Sequence, residues 1–259
     1  MIDKNIPFSL VLSGGGALGI AHLGVYHDLE KQGLIPSEII GTSMGGIVGA
    51  CIAIGMSEEK MYAEIQNFTA ISKWIKLSMK GNAIVKNTKI AIIFEKIFGE
   101  RKISECNIPL KIITTNLKTS EKRVFSKEDD IKLKDALLAT MAIPGIFEEH
   151  EIEGEFYGDG FLCENLGVTQ ATHENIIAID VLGKNSFEEA LPQHRLKTKN
   201  VINMFEKSMR FLIYNQSKVS IQMLDKNLTL IEPHTSEYRT FDFHKHQEIR
   251  KLGLGLLDD

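Results

Sequence analysis

The first 54 residues alternate between short apolar runs and helix-like segments, and no other feature constrains the fold as strongly. Residues 8–13 and 38–42 are apolar runs typical of buried strands. A glycine loop or tight turn follows each run, and segments with helical spacing come next, at 17–32 and 44–54. Such alternation predicts a parallel sheet with helices on both faces. We therefore expect an α/β fold, a three-layer α/β/α sandwich with a mainly parallel central sheet.

The rest of the chain continues this alternation less regularly. Helices are predicted at 58–68, 88–98, 131–140, 201–224 and 247–257, and strands at 110–115, 122–125, 152–157, 176–181 and 228–232. A chain of 259 residues can build one sizeable core, so we predict a single domain over residues 1–259. Residues 74–85 mix aromatic, basic and apolar side chains without a period. We expect a cap segment around 69–88, which could touch a membrane surface.

Composition argues against several functional classes. Net charge is -4 and there is no long basic run, so nucleic-acid binding through phosphate neutralisation has little support. The cysteines are odd in number and widely spaced, which argues against a disulfide scaffold or a zinc site and favours reduced thiols; they are Cys51, Cys106 and Cys163. We expect no secretory leader, because Ser13 and the run of glycines at 14–16 interrupt the first apolar stretch too early. The expectation is a cytoplasmic protein, peripheral at most to a membrane.

One apolar run, at 39–56, approaches the length of about 20 residues that a membrane span requires. Five glycines interrupt it, with a threonine and a serine near its start. A buried strand, a tight turn and a buried helix account for the same residues better than a membrane span does.

A glycine pattern lies between the first predicted strand and helix. Gly14, Gly16 and Gly19 fit G-x-G-x-x-G, which exposes backbone N–H groups at a helix start and favours a bound anion. The anion could be a dinucleotide pyrophosphate or the oxyanion of an acyl-transfer intermediate. A dinucleotide site needs an acid at the end of the second strand, whereas Glu38 lies at its start. Nucleotide binding is therefore the weaker alternative, together with a turn of no function.

A second pattern points to a nucleophilic serine. Residues 41–45 read Gly-Thr-Ser-Met-Gly and match the nucleophile elbow G-x-S-x-G, between a predicted strand and a predicted helix. Side chains at Gly41 or Gly45 would collide with the neighbouring strand and helix, so we expect the glycines to leave room for a sharp turn at Ser43. Because loops that follow parallel strands lie at the same sheet edge, the glycine loop and Ser43 should face each other.

A nucleophilic serine requires a base, and the residues alone leave two alternatives open. Three histidines come late enough for a Ser-acid-His triad: His234, His244 and His246. His22 falls within a predicted helix, where a packing role is expected. The other candidate is Asp159, before Gly160 in a glycine-flanked turn, although Asp-Gly is by itself a common turn dipeptide.

Together, the Gly-Gly-Gly-x-x-Gly loop, the Gly-Thr-Ser-Met-Gly elbow and the Asp-Gly pair resemble the patatin-like phospholipases in their small bacterial form, in that family's order. Residues 139–147 resemble the segment before the family's aspartate, and residues 165–168 resemble the segment after it. Residues 241–243 and the final helix resemble its C-terminal end. The resemblance covers roughly residues 8–255.

The resemblance implies a patatin-like fold and a Ser-Asp dyad, with Ser43 as nucleophile, Asp159 as base and no catalytic histidine. It implies an oxyanion loop at Gly14, Gly15 and Gly16. Supporting motif positions are Gly19, Gly41, Gly45 and Gly160. It further implies hydrolysis of carboxylic esters in phospholipids, lysophospholipids or related lipids, with no metal or cofactor. An inactive lipid-binding member of the same fold is the alternative.

Two positions depart from the family pattern. Leu18 stands in the glycine loop where the family usually has arginine or lysine, which weakens the expectation of phosphate-bearing substrates. Phe161 follows Asp159-Gly160 where the family usually has glycine or alanine. Its bulk would either narrow the pocket or turn outward.

Overall fold

The computed structural model describes residues 6–65, 87–187 and 198–257, with the backbone alone at 198–203. The predicted cap at 69–88 lies almost wholly outside the described residues. So does the segment at 74–85 that was expected to touch a membrane.

The described residues alternate strands and helices as the sequence predicts, most regularly in the first 54 residues. The strands are β1 (Phe8–Leu12), β2 (Glu38–Thr42), β3 (Leu110–Asn116), β4 (Lys122–Phe125), β5 (His150–Ile152), β6 (Glu155–Asp159), β7 (Asn175–Ile179) and β8 (Asn227–Ile231). The helices are α1 (Ala21–Gln32), α2 (Met44–Ala53), α3 (58–65), α4 (Thr88–Phe98), α5 (Leu133–Thr140), α6 (Thr198–Gln222) and α7 (His246–Lys251).

One mixed sheet forms the centre of the molecule, in the order β5-β6-β3-β2-β1-β7-β8, with β4 paired to β3. Strands β3, β2, β1, β7 and β8 run parallel, whereas β4, β5 and β6 are antiparallel to their neighbours. Side chains that alternate along a strand belong to separate cores: Leu10 and Leu12 to one, Val11 to the other. Both faces are therefore covered, and the predicted α/β class with a mainly parallel sheet is confirmed.

Three local predictions differ from the structure. The helix predicted at 247–257 ends at Lys251, and residues 252–257 form turns in which Gly255 has φ 78°. The strand predicted at 152–157 is a hairpin, because Glu153 (φ 55°) and Gly154 (φ 82°) form a tight turn between β5 and β6. The helix predicted from residue 17 opens instead with a 3-10 turn, Gly16–Ile20, before α1.

The apolar run at 39–56 contains the end of β2 and the whole of α2, both buried. None of the helices within the described ranges is both long and apolar enough to cross a membrane.

Strand β3 determines where β6 ends. It pairs with β2 through residues 110–113 and with β4 through residues 112–115. A strand has only two hydrogen-bonding edges, and β4 occupies one edge of β3. Strand β6 pairs with residues 114–116 of β3, so it must lie on the other edge, beyond the end of β2. Thr42 pairs with Ile113 and Asp159 with Thr114, so the ends of β2 and β6 meet at adjacent positions of β3.

Candidate active site

Ser43 occupies a strained turn between β2 and α2. Its backbone has φ 52° and ψ −124°, a region that residues other than glycine rarely adopt. The Ser43 N–H donates to Oγ1 of Thr140 at 2.8 Å, and that hydroxyl donates to the Ile113 carbonyl at 2.5 Å. Thr140 therefore joins the strained turn to β3 and stabilises it. Ser43 is 6% exposed and lines a cleft at the carboxyl end of β2.

The glycines beside Ser43 are required by close backbone approach, as the sequence predicts. A Cβ atom at Gly45 would lie 2.2 Å from the Leu12 carbonyl oxygen, and one at Gly41 would lie 2.5 Å from the Gly45 carbonyl oxygen. Both distances are far below van der Waals contact, so α2 can start this close to the sheet only without side chains at these positions. A Cβ at Gly160 would lie 2.3 Å from the Ile113 carbonyl oxygen, so the turn after Asp159 is packed in the same way.

Asp159 ends β6 next to Ser43 and is fully buried. Its Oδ1 accepts a hydrogen bond from the Phe161 N–H at 3.0 Å. Burial raises the pKa of the carboxyl from 3.8 to about 7, against the opposing effects of the Ser43 hydroxyl and the Phe161 N–H. Oδ2 is buried and accepts no hydrogen bond from any described residue. Hydrogen bonds between catalytic groups are often long before substrate binds, and a base works best with a pKa near the working pH.

The glycine loop lies against the same turn. A Cβ at Gly14 would lie 3.1 Å from the Ser43 Cβ, and the Gly14 N–H already donates to the Asn165 carbonyl at 3.4 Å. No described residue accepts a hydrogen bond from the N–H groups of Gly15 or Gly16. These two groups are the donors in the loop that remain available to an oxyanion.

A distant segment anchors this loop. The Thr240 carbonyl accepts the Ala17 N–H at 2.7 Å, and a Cβ at Gly16 would lie 2.3 Å from the same oxygen. Thr240 is held in turn by Glu206 of α6, whose Oε1 accepts both its N–H at 3.0 Å and its hydroxyl at 2.9 Å. Thr140, Thr240 and Glu206 were not predicted from the sequence, and no local pattern marks them, because each acts through contacts between residues distant in the chain.

None of the histidine candidates for a triad reaches Ser43 or Asp159. His246 shares a hydrogen bond of 3.0 Å with the Tyr62 hydroxyl, His244 lies 3.9 Å from Asp242, and His234 is exposed.

His22 has a packing role, as expected, although it lies close to the glycine loop. It is fully buried, and its Nε2 donates to the Ser13 carbonyl at 2.8 Å. Burial lowers its pKa to about 4, so the ring is neutral at physiological pH.

The cleft at Ser43 is apolar. It encloses about 470 Å³ including its opening. Of the described residues that line it, all except Gly16 and Ser43 are apolar, including Ile90, Phe147 and Phe241. A surface of this kind fits hydrocarbon rather than a charged head group.

The two departures from the family pattern both lie away from this cleft. Leu18 is fully buried in the main core, and Phe161, partly buried, does not line the cleft. The Phe161 side chain therefore leaves the cleft open.

Glu38 marks the opposite end of the sheet. It is buried, accepts a hydrogen bond from the Ser9 hydroxyl at 2.6 Å and pairs with Lys111 at 3.2 Å. Burial raises its pKa, but these partners and Thr172 outweigh that effect and lower it to about 2. Within the described part of the chain, no cluster of three or more His, Cys, Asp or Glu side chains is arranged to hold a metal ion.

Comparison with known proteins finds one family model that spans the glycine loop, the serine elbow and the end of β6. The model for patatin-like phospholipases matches residues 10–172, more than half of the chain, and that range includes the glycine loop, Ser43 and Asp159.

Individual relatives share about 30% or less of their aligned residues with this chain. Lysophospholipase NTE1 of Debaryomyces hansenii is 27% identical over an alignment that covers 100% of this chain and 18% of that protein. An uncharacterised NTE family protein of Mycobacterium bovis is 31% identical over 61% of this chain and 43% of that protein. The chain thus spans less than half the length of these relatives. The crystal structure of VipD from Legionella pneumophila superposes with a TM-score of 0.50 at 15% identity, covering 98% of this chain and 66% of that one, which shows a shared fold.

Proposed function

This chain belongs to the patatin-like phospholipase family, and on that basis we propose that it hydrolyses carboxylic esters of lipids through an acyl-enzyme on Ser43, with Asp159 as the general base. The observation that carries the proposal is the position of a buried carboxyl, with a pKa of about 7, beside a serine in a strained elbow. A carboxyl with the ordinary pKa of 3.8 would be a weak base at neutral pH. A carboxyl with a pKa near 7 is a more effective proton acceptor at that pH and is still partly ionised there.

Each proton in the proposed cycle has a defined place. The Ser43 oxygen attacks the ester carbonyl carbon while its proton passes to Asp159. The N–H groups of Gly15 and Gly16 stabilise the oxyanion. When the intermediate collapses, the leaving alcohol takes the proton from Asp159 and the acyl group stays on Ser43. Asp159 then accepts a proton from water, which attacks the acyl-enzyme and releases the fatty acid, and the proton returns to Ser43.

The proposed substrates are phospholipids and lysophospholipids. The apolar lining of the cleft and the similarity to lysophospholipases of the NTE1 type both support a lipid acyl chain as the bound group. We also propose that the protein meets its substrate at a lipid surface. Co-sedimentation of the Ser43→Ala variant with phosphatidylcholine vesicles tests this, and a variant that stays in the supernatant argues against it.

Labelling with a fluorophosphonate probe tests the dyad. Ser43→Ala should abolish labelling, and Asp159→Asn should slow it about 100-fold or more, the usual contribution of a general base. Matched controls are Ser120→Ala, the other described serine with positive φ, and Asp225→Asn, an exposed aspartate. Both should label at the wild-type rate.

Two results would contradict the proposal. Labelling that survives in Ser43→Ala would remove the nucleophile from the mechanism. Labelling that falls when His234, His244 or His246 is replaced by alanine, while Asp159→Asn keeps the wild-type rate, would replace the dyad by a triad.

A further inference from the structure

A second apolar cleft adjoins the one at Ser43. It encloses about 510 Å³ including its opening, and it shares Met44, Ile47 and Phe243 with the first cleft. Ser43 lines only the first cleft, whereas Cys51 lines only the second. The three shared side chains therefore line both clefts, so the two apolar spaces adjoin along them.

One face of α2 joins the two clefts. Met44, Ile47, Val48 and Cys51 follow the i, i+3, i+4, i+7 spacing of a single helix face. This face starts immediately after Ser43. Because an α-helix rises 1.5 Å per residue, it extends about 12 Å from Ser43 to Cys51.

The second cleft offers a ligand almost nothing but hydrocarbon contacts. Its described lining is apolar except for Glu64, whose carboxylate pairs with Lys96 at 3.4 Å. Met61 and Ile65 of α3 line this cleft together with the α2 face. A long apolar chain is the ligand that such a surface accommodates at least cost.

We propose that the acyl chain of an ester bound at Ser43 runs along Met44, Ile47 and Phe243 into the second cleft, and that Cys51 limits the length of chain accepted. The inference rests on the proposed function and adds to it a residue, Cys51, that determines which acyl-chain lengths the site accepts. A fully extended backbone advances 3.3–3.6 Å over three bonds, so an extended alkyl chain advances about 1.2 Å per bond. About ten bonds then span the distance to Cys51, which a dodecanoyl chain reaches and a butyryl chain does not.

Replacement of Cys51 by a larger side chain tests the inference. Cys51→Phe fills the second cleft, and each methylene excluded from an apolar site loses roughly a factor of four in binding, so three methylenes lose roughly 60-fold. We expect kcat/KM for p-nitrophenyl dodecanoate to fall by that order, and kcat/KM for p-nitrophenyl butyrate to stay within about twofold of wild type. Cys106→Phe is the matched control, because Cys106 lines neither cleft.

The smaller change Cys51→Leu replaces this test if Cys51→Phe does not fold. It should also lower the ratio of kcat/KM for dodecanoate to kcat/KM for butyrate. Binding of laurate, measured by calorimetry, needs no turnover and separates this inference from the proposed function. If the wild type cleaves neither ester but binds laurate, and Cys51→Phe weakens that binding, the proposed hydrolysis is contradicted. The proposed binding of the acyl chain in the second cleft is then supported on its own. The inference would be overturned if both Cys51 variants kept the wild-type ratio of kcat/KM for dodecanoate to kcat/KM for butyrate and also bound laurate with wild-type affinity.

Discussion

The raised pKa of Asp159 makes a quantitative prediction that links activity to stability. A base must be ionised to act, so the rate of fluorophosphonate labelling of Ser43 should rise tenfold per pH unit up to about pH 7 and level off above it. At pH 5, about 1% of a carboxyl with this pKa is ionised, so labelling should be about 100-fold slower than at pH 8.

The same pKa should reduce the stability of the folded protein at neutral pH. Burial raises the pKa of the Asp159 carboxyl from 3.8 to about 7 in the folded state. At pH values between these two, the folded state therefore binds more protons than the unfolded state. Stability is therefore lost as pH rises through this window, by about 4 kcal/mol in total and by about 2.5 kcal/mol between pH 5 and pH 8. Asp159→Asn removes the titration while its amide oxygen can still accept the Phe161 N–H.

Denaturant unfolding of both proteins measures this effect. The free energy of unfolding of Asp159→Asn relative to wild type should increase by about 2.5 kcal/mol from pH 5 to pH 8. Any constant cost of the buried amide cancels in this comparison, as does Asp180, another buried carboxyl whose pKa burial raises to about 6. A relative stability that does not change with pH, together with a labelling rate that is flat from pH 5 to pH 8, would refute the assignment of Asp159 as the base.

Four further variants, one of them a control, test which contacts hold the site in place. Thr140→Val leaves the Ser43 N–H without its acceptor and should lower the free energy of unfolding by about 2 kcal/mol or more, with slower labelling of Ser43. Gly45→Ala places a methyl group 2.2 Å from a β1 carbonyl oxygen and should lower the free energy of unfolding by roughly 1–3 kcal/mol. Gly46→Ala is its control, because its methyl group would lie 3.2 Å from the nearest atom; thermal unfolding should place it within about 1 kcal/mol of wild type. Glu206→Gln weakens the anchor of the glycine loop and should lower kcat several-fold at constant KM, since that loop is proposed to act on the oxyanion; an increase in KM alone would contradict this role.

Local patterns were sufficient to predict the fold class and the position of Ser43. The alternation of apolar runs with helical spacing depends on residues close in sequence, and so do the glycines of the elbow, whose steric reason follows from a tight strand-to-helix turn. The hairpin of β5 and β6 was missed because both strands are short, and the single strand predicted at 152–157 runs across the Glu153–Gly154 turn.

The proposed base could not be derived from sequence in the same way. Asp159 by itself was a turn aspartate, and only resemblance to a family suggested a role for it. Strand β3 brings it to Ser43 by pairing with β2 and then with β6 along one edge, and burial at that junction raises its pKa. Thus the sequence determined the elbow that holds Ser43, the proposed nucleophile, because the geometry of that turn is local. The tertiary structure decided which group lies beside it, because strand register and desolvation arise only when distant segments pack together.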